Sequence, residues 1–132
     1  MTKSITISQG VLRIAGVAQI ALGLAIWAGS ATSLVSVHMT VGLLFVVSLW
    51  VLAVLTGRHG AGVALPVFAG VWGLVTVALG MSQEGIMRGD SHWIVQVLHL
   101  LVGLTGITIG EILVRKVPTA AAERDGLERS RP

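Results

Sequence analysis

The chain has no cysteine. Disulfides, thiolate metal centres, iron–sulfur clusters and cysteine-attached haem are therefore excluded, and any cofactor must be held non-covalently by His, Met or carboxylate side chains. Charge is scarce as well. Only 11% of the 132 residues are Asp, Glu, Lys or Arg, against 54% hydrophobic, whereas soluble domains carry about a quarter charged residues. With a mean hydropathy of +0.88, that balance excludes an ordinary soluble domain and points to an integral membrane protein. The formal charge of +3 and the pI near 10.7 do not indicate nucleic acid, because the basic residues lie at the ends of apolar runs and in the C-terminal tail instead of along one face.

What is present in quantity is apolar sequence, in four runs at residues 11–28, 34–55, 62–81 and 92–114. Each is close to the roughly 20 residues that cross a bilayer. The links between them are short, so neighbouring helices must run antiparallel, and the expected fold is an all-α, up-down-up-down bundle of four transmembrane helices. Residues 1–115 form the one domain, and residues 116–132 read as a disordered cytoplasmic tail of small residues and alternating charges. The polar start, with Lys3 and no small-residue cleavage site after the first run, leads into a retained span, not a signal peptide. Lys3, Arg13, Arg58, Arg115 and Lys116 fall on one side and Arg88 alone on the other. Both termini are accordingly expected in the cytoplasm, in a bacterial-type inner membrane. Trp27 and Trp93 then lie at the outer boundary, where indoles settle, while Trp50 and Trp72 lie deeper and require a packing role.

Two segments read almost alike, His38-Met39-Thr40-Val41-Gly42 and His99-Leu100-Leu101-Val102-Gly103, one in the second run and one in the fourth. Gly16-Val17-Ala18-Gln19 and Gly70-Val71-Trp72-Gly73 open a matching part of the first and third. Two pseudo-repeated helical hairpins follow, related by a twofold axis along the membrane normal. Under that axis His38 and His99 become symmetry mates, about 6 Å and about 10 Å below the starts of their spans.

A histidine in hydrocarbon is costly and marks function by default. Two neutral imidazoles meeting at one depth from diagonal helices have the chemistry to hold a haem iron from both sides. Gly42 and Gly103 lie four residues beyond each histidine and share its face, which removes side chains where a porphyrin edge would collide. His92, Gln96, His99, Gly103, Gly106 and Gly110 continue one strip along the fourth span. Gln96 is placed to orient an imidazole, and Arg88 or His92 to meet propionates at the outer surface. The bland readings are also defined. Small residues line membrane helix interfaces without any cofactor, the glycines of the fourth span can serve a homodimer, and intramembrane histidines can hydrogen-bond between helices. His92 doubles as an interfacial cap, His59 as a solvated turn residue, and Glu111 as an i,i+4 ion-pair partner of Arg115. Gln19 reads as an interhelical hydrogen-bonding group or a quinone contact. Met39 lies off the face of His38, with Met81 and Met87 terminal or in a loop.

At His38-x-x-x-Gly42 and His99 the chain resembles the haem-binding four-helix halves of haem A synthase and, more loosely, other bis-histidine b-type membrane cytochromes. In that family each half carries one ligand on its second helix and one on its fourth. The resemblance implies a haem b held by His38 and His99. Val37 stands where the substrate-bearing half has a carboxylate, and the cysteine pair is missing, so the resemblance is to the half that holds haem as a cofactor. The expectation is one haem b per chain near the outer leaflet, serving one-electron transfer or haem handling, with a quinol or another redox partner. If it turns over a substrate, it would be a haem-dependent oxidoreductase. The alternative is a haem-free accessory, transport or structural subunit whose histidines titrate or bind a divalent cation.

Overall fold

A computed structural model of the chain describes residues 3–87 and 89–117, together with 122, 126 and 129. Arg88 and most of the tail lie outside the described residues. The described chain is all-helical: α1 (Lys3–Trp27), α2 (Val35–Arg58), α3 (Ala64–Ser82) and α4 (His92–Arg115), with 3-10 turns at Thr32–Leu34 and Gln83–Gly85. All four helices are long and apolar enough to cross a membrane.

A helix lets a single spanning segment pair its own backbone groups, which matters because hydrocarbon offers no partner to an open N–H or C=O. The side-chain hydroxyls obey the same constraint. Ser48, Thr56, Thr76, Ser82, Thr105 and Thr108 each donate to the carbonyl four residues earlier in their own helix, at 2.7–3.1 Å. A back-bonded hydroxyl needs no partner on another helix. At its C-terminal end α1 closes with a left-handed glycine, Gly29 at φ 75°. Ser30 N–H donates to Ala25 O and Gly29 N–H to Ile26 O, the paired bonds by which such a glycine satisfies the last carbonyls.

Two boundaries differ from the sequence reading. α1 begins at Lys3 and not near residue 11, and α2 runs on to Arg58. The polar start of α1 disguises a helical face. Ile5, Gln9 and Leu12 follow at i, i+4 and i+7 and all three are buried, so these residues carry α1 along its neighbours beyond the purely apolar run.

α2 and α4 touch across the bundle, whereas α1 and α3 do not; each outer helix packs on both inner ones. The core is built from α1, α2 and α4, with Leu12, Leu49, Leu52 and Leu113 fully buried and only Ala69 contributed by α3. Exclusion from water cannot drive this packing within lipid, so close approach and side-chain fit must. Glycines provide the fit. A Cβ on Gly106 would come within 3.1 Å of the Phe45 ring, and one on Gly16 within 2.8 Å of Ile107. Trp50 and Trp72 join helices through their ring N–H groups, Trp50 donating to Gly70 O at 3.1 Å and Trp72 to Val102 O at 3.0 Å. Their depth is explained by these bonds between α2 and α3 and between α3 and α4.

Candidate functional site

Chain direction brings the C-terminal ends of α1 and α3 to the N-terminal ends of α2 and α4. At that end of the bundle the helices diverge around a cavity of about 520 Å³ lined by all four, within the roughly 300–1,000 Å³ typical of cofactor pockets. Phe45, two turns beyond His38 and buried between Gly16 and Gly106, forms its floor. Beyond the floor the bundle is filled by the leucines of the core.

His38 from α2 and His99 from α4 enter this cavity from the inner diagonal, with ring centroids 6.3 Å apart and ring planes at 60°. In both rings Nδ1 is buried without a hydrogen-bond partner. Nε2 of neither ring is among the buried, unpartnered atoms, which leaves it as the nitrogen with access to the cavity. Each ring lies edge-on to a glycine of the adjacent outer helix: Cε1 of His38 faces Gly23 of α1, and Cε1 of His99 faces Gly80 of α3.

The remaining sequence-derived candidates divide. Gly42, Gly103, Gln96 and His92 all line the cavity with the two histidines. Gly103 opens onto free space, with no atom within 4 Å of a Cβ built there, whereas the side-chain amide of Gln19 lies against Gly42. The slot is therefore open on the α4 side and covered on the α2 side. Gly106 and Gly110 do not extend it; their missing side chains are replaced by Phe45 and Leu12 from within the same chain. Arg88 lies outside the described residues. His92 donates through Nδ1 to Ile86 O at a long 3.4 Å, and His59, exposed, donates to Leu55 O at 2.7 Å in the turn after α2.

No protein-family model, curated protein or solved structure matches this chain. The chemistry of the site therefore has to be read from its own geometry.

Two imidazoles bound on opposite sides of one iron, each nitrogen about 2 Å from the metal and each ring centre about 1 Å further, have centroids about 6 Å apart. Among the described residues no group of three or more His, Asp or Glu side chains is close enough to hold a metal ion. A tetrahedral zinc site needs that many donors from the protein, whereas a haem would need only His38 and His99.

Several lining residues were not legible beforehand. Gly23, Gly80, Thr76 and Gln83 reach the cavity from turns that carry no chemical motif, and Met39 and Met81 reach its wall as well, whereas Phe45 lies on the α2 face that His38 and Gly42 already mark in the sequence. The signal for Gly23 and Gly80 lay in the repeat. Gly16 and Gly23 have the same spacing in α1 as Gly73 and Gly80 in α3, so the repeat register is Gly16 with Gly73, one turn from the pairing of Gly16 with Gly70. Glu111 also departs from its expected role. Its carboxylate takes Arg13 of α1 through two bonds of 2.6 and 2.7 Å, and Gln9 donates a third at 3.0 Å.

Proposed function

We propose that this chain is a membrane b-type haem protein holding one haem through His38 and His99, in one-electron transfer or haem handling. The observation that carries the proposal is the 6.3 Å separation of two imidazoles across the inner diagonal of the bundle. A haem held by His38 and His99 would supply one-electron redox chemistry. The chain's own contribution is to hold and to shield. His38 and His99 present neutral nitrogens from opposed helices, the bare backbone at Gly103 leaves space beside them, and Phe45 closes the floor against the packed half. Leu43, Val46, Leu100, Leu104 and Ile107 make the wall apolar, which keeps water from the ligand nitrogens. Gln83, His92 and Gln96 are the polar groups lining the cavity near the helix ends and are suited to carboxylates at the membrane surface.

The distribution of basic residues supports an orientation. Arg58 and Arg115 close α2 and α4 at the end opposite the cavity, so the positive-inside preference puts the termini in the cytoplasm and the histidine pair toward the outer leaflet of a bacterial-type inner membrane. A quinol or another membrane redox partner would meet the haem there. If the protein turns over a substrate, it does so as a haem-dependent oxidoreductase.

The test is the absorption spectrum of the detergent-purified protein, oxidised and reduced, with haem quantified as the pyridine haemochrome. Low-spin bis-histidine bands are expected, with about one haem per chain. His38→Ala and His99→Ala should each abolish those bands while the helical content is kept. Bands that persist in both variants, or a wild-type protein that retains a divalent cation and takes up no haem, overturn the proposal.

A further inference from the structure

Histidines that ligate metals almost always donate their second ring N–H to an acceptor, which fixes the ring and makes it a stronger donor to the metal. Among the described residues neither His38 nor His99 has such a partner; both Nδ1 atoms are buried and unpaired. Something else must hold the rings. A Cβ built on Gly23 would lie 3.3 Å from Cε1 of His38 and 3.9 Å from its Nδ1. A Cβ built on Gly80 would lie 3.2 Å from Cε1 of His99, 3.9 Å from Nε2 and 4.0 Å from Nδ1. The same contact is made twice, by equivalent residues of the two hairpins, and each ring edge rests where a side chain would otherwise begin.

We propose that Gly23 and Gly80 are positioning residues for the two haem ligands, setting ring orientation by backbone contact in place of an Nδ1 hydrogen bond. This inference rests on the haem assignment above. It has two consequences. A methyl group at either position must push its imidazole by a few tenths of an ångström, because a rigid ring cannot fold away as a flexible chain end does. And since the ligands lack the acceptor that would enrich their electron density, the ferric state is less stabilised than with ordinary histidine ligands, so the reduction potential lies higher.

Serine separates the two effects. Ser48 and Ser82 show that a serine in these helices donates to its own carbonyl four residues back, which leaves lone pairs free to accept. A serine at position 23 or 80 carries its oxygen from a Cβ 3.9–4.0 Å from Nδ1 and can supply the missing acceptor. Alanine supplies only the push.

The experiment uses the full chain loaded with haem in detergent, comparing Gly23→Ala, Gly23→Ser, Gly80→Ala and Gly80→Ser. Gly70→Ala serves as the control, since nothing lies within 4 Å of a Cβ there. The readouts are the ferric low-spin electron paramagnetic resonance signal, whose anisotropy reports the angle between the ligand planes, and the reduction potential. All four variants are expected to change the anisotropy or lose haem, and the serine variants additionally to lower the potential by about 59 mV, a tenfold rise in the oxidised-to-reduced ratio for one electron. Each glycine tests its own ring, so a variant that fails to insert leaves the other to decide. A wild-type protein without a low-spin bis-histidine signal defeats the haem assignment and this inference together. A wild-type protein with that signal, and glycine variants that match it in both readouts, defeats the inference alone.

Discussion

Two kinds of polar residue lie within these spans, and they are accommodated in opposite ways. Glu111 is saturated: Arg13 takes both carboxylate oxygens and Gln9 adds a third bond. His38 and His99 keep a nitrogen buried and unpaired. In a membrane the first arrangement describes a group whose cost has been met within the protein, and the second leaves an Nδ1 whose cost has not. Glu111→Ala, which leaves Arg13 and Gln9 without their acceptor, should lower the thermal unfolding midpoint in detergent, and Glu111→Gln, which keeps an acceptor oxygen, should lower it less. Equal midpoints for the wild type and both variants would show the cluster to be idle. The histidines were legible in the sequence because an ionisable group inside an apolar run stands out by itself. The partner of Glu111 was not. Spacing along one helix shows only Arg115, whereas Arg13 becomes a neighbour only once α1 and α4 are placed side by side.

At the scale of the element, hydropathy located four helices correctly and misjudged where one begins. A run of Ser, Thr and Gln reads as a surface segment when residues are counted, yet Ile5 is fully buried and Ile7, two positions on, is 66% exposed. The distinction is one of face and not of composition. It can be measured: Ile5→Ala should destabilise the protein by about 2–5 kcal/mol, toward the lower figure because lipid replaces water outside the bundle. Ile7→Ala should stay within about 0.5 kcal/mol. Equal effects in a detergent unfolding titration would show that the first turns of α1 do not dock. The glycines of α4 carry a similar lesson. Gly103, Gly106 and Gly110 look equivalent in the sequence, but only Gly103 faces open space, because Phe45 and Leu12 reach the other two from helices whose proximity spacing alone does not reveal.

The whole molecule has two unlike ends. At one, Leu12, Leu49, Leu52 and Leu113 are fully buried and the Arg13–Glu111 pair bolts α1 to α4. At the other, beyond Phe45, the four helices surround about 520 Å³ of space. Local stability follows packing, so the cavity end should open more readily than the filled end. A ligand gripped by His38 and His99 would tie the inner diagonal together where the protein's own contacts are fewest. Binding to the folded state alone adds about 2.7 kcal/mol at a free-ligand concentration 100 times Kd, and that gain should not be spread evenly. Hydrogen exchange of the full chain with and without haem should therefore show new protection concentrated in residues 20–27, 35–42, 76–82 and 92–103, with little change around Leu49, Leu52 and Leu113. Protection spread uniformly, or confined to the filled end, would mean that whatever haem binds does not sit between these histidines. The pseudo-twofold layout sharpens the expectation: because His38 and His99 are symmetry mates on α2 and α4, the slowing should appear in both hairpins, and protection of one hairpin alone would indicate a single histidine at work.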